Sequence, residues 1–154
     1  LFPYTTLFRS PASRGAYQNL FQGRLIRKVY EALAPTRTDL VYPVTVKSRL
    51  VRGEAFYLTR EIAGEANAQT QIELLENRGD TSLYRLQPLT GKKHQLRVHM
   101  MSLGMPLLND ALYPTVQAAG SEDYGKPLKL LARSIAFHDP VSGQWREFFS
   151  RQNL

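Results

Sequence analysis

The 154-residue chain contains no cysteine. That excludes disulfides, thiolate zinc sites and cysteine nucleophiles, and it fits a reducing compartment. The chain also lacks a long apolar run, so no segment reads as a transmembrane helix. The first residues have neither the apolar centre nor the small-residue cleavage site of a signal peptide. A cytoplasmic protein is the resulting expectation. Acids are missing from two stretches. None precedes Glu31, although Arg9, Arg14, Arg24, Arg27 and Lys28 do. None lies between Asp80 and Asp110, where Arg85, Lys92, Lys93 and Arg97 stand. Evenly spread, a net charge of +7 would serve solubility alone. Gathered into two acid-free stretches, it points to an electropositive surface facing a polyanion, most commonly nucleic acid.

Hydrophobic residues make up 43% of the chain, enough for one domain with a core. Residues 1–10, LFPYTTLFRS, read as the in-frame translation of a sequencing adapter. They are set aside as a non-native scar, with native sequence expected from near Pro11. From Ser13 a short helix is expected, with Ser13 as cap, Ala16, Leu20 and Phe21 on one face and Gly23 ending it. Residues 24–34 read as a strand, with Leu25, Val29 and Ala32 facing one way and Ile26, Lys28 and Tyr30 the other. Short strands follow over 42–51 and 54–60, joined around Gly53, then a polar loop over 63–67. Residues 69–77 and 81–88 form the clearest hairpin, turning at Arg78-Gly79-Asp80. After Thr90 the period becomes helical, with Leu96, Met100 and Leu103 as the apolar face and Gly104 and Pro106 as the stop. A loop over 114–126 leads to a terminal hairpin. Many strands in hairpins with few helices predict an α+β fold built on a mostly antiparallel mixed sheet.

The helix after Thr90 is chemically unusual. Lys92 and Lys93 fall in its expected first turn, where the helix dipole disfavours cations by ~0.3–1 kcal/mol each. Two readings remain: solvated lysines that tolerate the penalty, or a phosphate docked on the helix end. His94 and His99 are five residues apart, off the i, i+4 spacing of a helical metal pair, and no third ligand is evident. No metal is expected, and a satisfied structural histidine is the simpler reading of His99. Arg97 stands off the apolar stripe, where it can pair bidentately with a carboxylate or a phosphate.

The run PLTGKKHQLRVHMMSLGMPLLNDALYP resembles the RluA-type (RsuA/RluA-like) RNA pseudouridine synthases. Their motif runs Thr-Gly-Arg-x-His-Gln-Leu-Arg-x-His, then Gly-x-Pro-Ile-x-Gly-Asp-x-x-Tyr-Gly. Matching positions are Thr90, Gly91, His94, Gln95, Leu96, Arg97, His99, Gly104, Pro106, Asp110 and Tyr113. The departures are Lys92 for an arginine and Asn109 and Pro114 for glycines. Lys28-x-Tyr30-x-Ala32 is similar to a second family segment. LKLLARSIAFHDPVSG is similar to the family's terminal hairpin, with Asp139 inserted between His138 and Pro140.

The resemblance implies a uridine flipped out of its stack, its glycosidic bond broken and the base rejoined through carbon, with no cofactor. The nucleophile would be an aspartate in a His-Arg-Leu-Asp motif. None of the thirteen acids here stands in such a motif. Residues 11–154 are therefore expected to be the C-terminal portion of the catalytic domain, inactive alone. By resemblance, Tyr30 stacks on the flipped base, although a strand tyrosine is also ordinary packing. Arg97 pairs with the absent aspartate. Lys28, Lys92, Lys93, His94 and Gln95 contact RNA, ribosomal or transfer, mainly through phosphate. A monomer is expected. The alternatives are a non-catalytic RNA-binding module of the same fold and a basic scaffold without a site.

Overall fold

The computed structural model describes residues 11–118, 123 and 125–154. The suspected scar at 1–10 and part of the 114–126 loop lie outside them. Helix α1 spans Pro11–Gln22. It begins earlier than expected, so Ser13 lies inside it and is not its cap. Its inward face is Tyr17 and Leu20, three residues apart, which pack with Ile26, Ile135 and Phe137. The expected face is corrected by one position: Ala16 is half-buried and Phe21 is 47% exposed.

The end of α1 is a second correction. Leu25 N–H donates to the Leu20 carbonyl at 2.9 Å and Arg24 N–H to the Phe21 carbonyl at 3.3 Å. These are the two bonds of a Schellman closure, whose left-handed residue is usually glycine. Here that residue is Arg24, at φ 56°, because Gly23 stands one position too early. A side chain in that conformation costs roughly 1–2 kcal/mol. The second helix, α2 (Gln95–Ser102), closes with the same pair of bonds and a glycine. Met105 N–H reaches the Met100 carbonyl and Gly104 N–H the Met101 carbonyl, both at 2.9 Å, with Gly104 at φ 72°.

Seven strands complete the fold: β1 (Arg27–Pro35), β2 (Val44–Arg52), β3 (Thr59–Ile62), β4 (Ala68–Asn77), β5 (Thr81–Pro88), β6 (Leu130–His138) and β7 (Trp145–Phe149). They form one sheet in the order β3-β2-β4-β5-β1-β6-β7. Every ladder among the described residues is antiparallel, so the α+β expectation is met without any parallel pair. The β4–β5 hairpin falls where the alternation placed it, with Gly79 at φ 90° in its turn. The strand expected over 54–60 is displaced to Thr59–Ile62. Gly53 N–H donates to Leu58 O and Leu58 N–H to Ala55 O, which folds 53–58 into a turn.

Strand β1 lies between β5 and β6. Its one irregularity is on the partner: Val29 pairs with Ser134 and Tyr30 with Ala132, leaving Arg133 as the extra residue. Alternation along β1 is therefore unbroken, and Lys28, Tyr30, Ala32 and Ala34 share a face. Ala32 was expected on the opposite face. Ala32 and Ala34 are fully buried beneath a cluster containing Ile72, Tyr84, Leu86, Leu96, Met100, Met105 and Leu107. Full burial of each large apolar side chain there contributes about 1.5–3 kcal/mol. Leu96, Met100 and Leu103 do face this core, as the helical period required.

Tyr84 gives that core a polar anchor. Its hydroxyl donates to the Pro35 carbonyl at 3.0 Å and accepts Arg37 N–H at 3.2 Å. Tyr84→Phe keeps the ring and strands both backbone groups, so a loss of about 1–2 kcal/mol is expected. Urea unfolding should show a lower midpoint at unchanged slope. An unchanged midpoint would show that the hydroxyl contributes nothing.

Candidate functional site

The turn between β5 and α2 is held by one buried amide. Gln95, 3% exposed, accepts the Thr90 hydroxyl at 2.7 Å and Lys92 N–H at 3.0 Å on its oxygen. Its nitrogen donates to the Gln69 carbonyl and the Thr70 hydroxyl oxygen, each at 2.9 Å. Gln69 N–H in turn donates to the Thr90 hydroxyl oxygen at 2.9 Å. Two acceptor and two donor sites are all a glutamine amide has. Gln95 thus fixes the turn with all four of its amide sites, and an RNA contact by this side chain would have to replace one of those bonds. The polar run continues inward: His99 Nδ1 lies 2.9 Å from the Thr70 hydroxyl, and Nε2 lies 3.1 Å from the Ser48 hydroxyl. His99 is fully buried, and burial lowers its pKa to about 4. It is the satisfied structural histidine.

Helix α2 starts at Gln95, later than the sequence implied, because His94 is left-handed at φ 52°. Lys92 and Lys93 therefore sit in the turn that precedes the helix and not in its first turn, where the sequence had put them. Both are exposed, and Lys93 Nζ donates to the Phe56 carbonyl at 3.3 Å. Among the described residues no group of three or more His, Asp or Glu side chains is placed to hold a metal. No helix among them is long and apolar enough to cross a membrane.

Arg97 has a partner within the chain. Its Nε donates to Asp110 Oδ2 at 2.8 Å, and its Nη2 donates to Asp110 Oδ1. The Asp110 side chain is fully buried and that of Arg97 is 15% exposed. Asp110 Oδ1 also accepts Leu112 N–H at 2.8 Å and Tyr113 N–H at 3.0 Å. The guanidinium carbon lies 5.1 Å from the centre of the Tyr113 ring, a cation–π distance. The Tyr113 hydroxyl accepts Thr59 N–H at 2.8 Å and lies 2.9 Å from His94 Nδ1. Burial, then Arg97 and Lys93, lower the His94 pKa. Asp110 and Tyr113 were legible as motif positions, but nothing in the sequence marked them as the setting of Arg97. Asn109 stands where the motif carries glycine and adopts φ 59°, a conformation asparagine tolerates well.

Lys28 and Tyr30 are the β1 members of the site. Lys28 Nζ donates to the Thr90 carbonyl at 3.2 Å, joining β1 to the motif turn, and burial lowers its pKa. Tyr30 packs, partly buried, against the core that holds Leu96 and Met100 of α2, and burial raises its hydroxyl pKa. Lys28, Thr90, Gly91 and Lys92 line a cleft of about 220 Å³ together with Phe21, Arg24 and Leu89. The structure thus brings Lys28 and Lys92 to one cleft, and His94 and Arg97 to a second cluster around Tyr113.

The family model for RNA pseudouridylate synthase matches residues 8–102, from α1 through the turn to the end of α2. The chain belongs to the RNA pseudouridylate synthase family. Two curated relatives are named dual-specificity RNA pseudouridine synthase RluA. That from Vibrio parahaemolyticus is 39% identical over 93% of this chain and 58% of its own length. That from Pasteurella multocida is 39% identical over 92% and 58%. The chain thus spans a little over half the length of these relatives. Human RNA pseudouridylate synthase domain containing 1 superposes with a TM-score of 0.73 at 25% identity, covering 94% of this chain and 62% of that one. Human RNA pseudouridylate synthase domain containing 4, at TM-score 0.68 and 23% identity, shares the fold.

Proposed function

We propose that this chain is the C-terminal portion of an RNA pseudouridine synthase catalytic domain that isomerises uridine in ribosomal or transfer RNA. Residues 11–154 supply the base-facing tyrosine, the orienting arginine and the phosphate contacts. The nucleophilic aspartate is supplied by residues other than these. The observation that carries the reading is the Arg97 setting. Asp110 occupies only the Nε–Nη2 edge of the guanidinium. Nη1 bonds none of the described residues, and it can receive a second carboxylate once the guanidinium is fixed. In this reading Tyr30 stacks on the flipped base, Lys28, Lys92, Lys93 and His94 contact the RNA backbone, and the protein works as a cytoplasmic monomer without cofactor or metal.

The test joins this chain to a segment bearing His-Arg-Leu-Asp and assays uridine isomerisation in ribosomal and transfer RNA. The joined protein is expected to convert uridine, and the 154-residue chain to bind RNA without converting it. Conversion by the chain alone would place the nucleophile among its own acids. RNA binding by both proteins with conversion by neither would favour a non-catalytic RNA-binding module.

A further inference from the structure

We propose that the cleft between the end of α1 and the 89–92 turn holds a phosphate of the RNA strand flanking the reacting uridine, with Arg24 as its principal ligand. The inference rests on the RNA reading above and extends it to a residue not counted among the RNA contacts there. Among the described residues, Arg24, Lys28 and Lys92 are the charged ones that line the cleft, and no acid does. Arg24 and Lys92 form no ion pair among the described residues. Lys28 is held in place by the Thr90 carbonyl through one of its three N–H groups, and its burial makes an anion a favourable neighbour. Phe21 and Leu89, 47% and 49% exposed, give the cleft apolar walls suited to the ribose and base attached to that phosphate.

The backbone supplies the independent observation. Arg24 occupies the left-handed position of the α1 closure, where glycine is unstrained, while Gly104 fills the equivalent position after α2. Strain of this kind persists where the side chain gains something elsewhere. The Arg24 side chain lines the same cleft as Lys28 and Lys92, so a phosphate bound there meets cations from the end of α1, from β1 and from the motif turn.

The test uses the 154-residue chain and a fluorescein-labelled oligouridylate, with anisotropy titrations across a range of salt. Arg24→Gly is expected to melt at or above the wild-type temperature, because it relieves the left-handed strain. It should nevertheless bind about tenfold more weakly, as expected for a lost charge-assisted hydrogen bond. Its log–log salt slope should be shallower by about 0.7, the value for one single-strand phosphate contact. Arg24→Asn, also comfortable at positive φ, should show the same loss, and Arg24→Lys should recover most of the affinity. Arg151→Ala removes the same charge beyond β7 and should leave affinity within about twofold. If Arg24→Gly and Arg24→Asn bind like the wild type, or if Arg151→Ala loses as much, the proposal fails and the RNA reading stands. If the wild-type chain does not bind the oligomer at all, both fail.

Discussion

Arg97→Ala should destabilise the fold by about 3–5 kcal/mol, the cost of leaving a buried carboxylate without its counter-charge. The Asp110 side chain is fully buried and held between the guanidinium and two backbone N–H groups. Neither it nor the loop it pins can move to water without giving up the turn at 110–113. Removing both charges should cost less than the two single losses added together. Asp110→Asn in the Arg97→Ala background keeps an acceptor for Leu112 and Tyr113 and takes away the orphaned charge. Urea unfolding of the four proteins in the cycle measures this. A cost under about 1 kcal/mol for Arg97→Ala would mean that the pair behaves like a surface ion pair. Arg97→Lys separates charge from shape, because it retains the cation and loses the two-point fork. For the isomerase reading, activity of the joined protein must be assayed well below the midpoint of each variant, so that unfolding is not mistaken for lost chemistry.

Acid should weaken the protein through His99. Burial holds the folded-state pKa near 4, against an ordinary value of 6.5. Between those values the unfolded chain carries a proton on this ring and the folded chain does not. Stability from this group is complete above pH 6.5 and is lost as the pH falls from there toward 4. The full drop is roughly 3 kcal/mol. His94 shifts in the same direction and adds to the same window. His99→Gln has no proton to take up and offers an amide to Thr70 and Ser48. Its midpoint at neutral pH is expected to be lower, but its decline on acidification should be shallower than the wild type's by about that amount. Parallel declines in the two proteins would show that His99 is not the group that titrates.

Local chemistry in the sequence carried some of these features and not others. The β4–β5 hairpin was readable nearly to the residue, because alternation over 69–77 and 81–88 is interrupted only by Arg78-Gly79-Asp80. The face of α2 was readable because Leu96, Met100 and Leu103 keep the helical spacing. Its start was not. Lys92 N–H is satisfied by the Gln95 side chain and His94 is left-handed, so the turn stays out of the helix. The motif helped less with roles than with identity. It grouped Gln95 with the RNA contacts, whereas tertiary bonds to Gln69 and Thr70 engage its amide nitrogen inside the fold. His99, read as a satisfied structural histidine, lies against Thr70 and Ser48. Arg97 was read as a carboxylate binder. Its partner Asp110 could be found only once Pro106–Asn109 had folded back along the sheet, with Leu108 N–H on the Leu33 carbonyl. The Arg24 cleft was invisible for a related reason: it joins the end of α1 to a turn more than sixty residues later.

The position of β1 has a consequence for how the protein is made. Tyr30 pairs with Leu86 on one side and with Ala132 on the other. Strands β2 to β5 pair among themselves, and so do β6 and β7, but among the described strands only β1 joins the two groups. It leaves the ribosome before either of its neighbours, and one of its edges stays open until β6 follows. The strand bearing Lys28 and Tyr30 is thus flanked on both sides only when the two halves of the sheet are brought together.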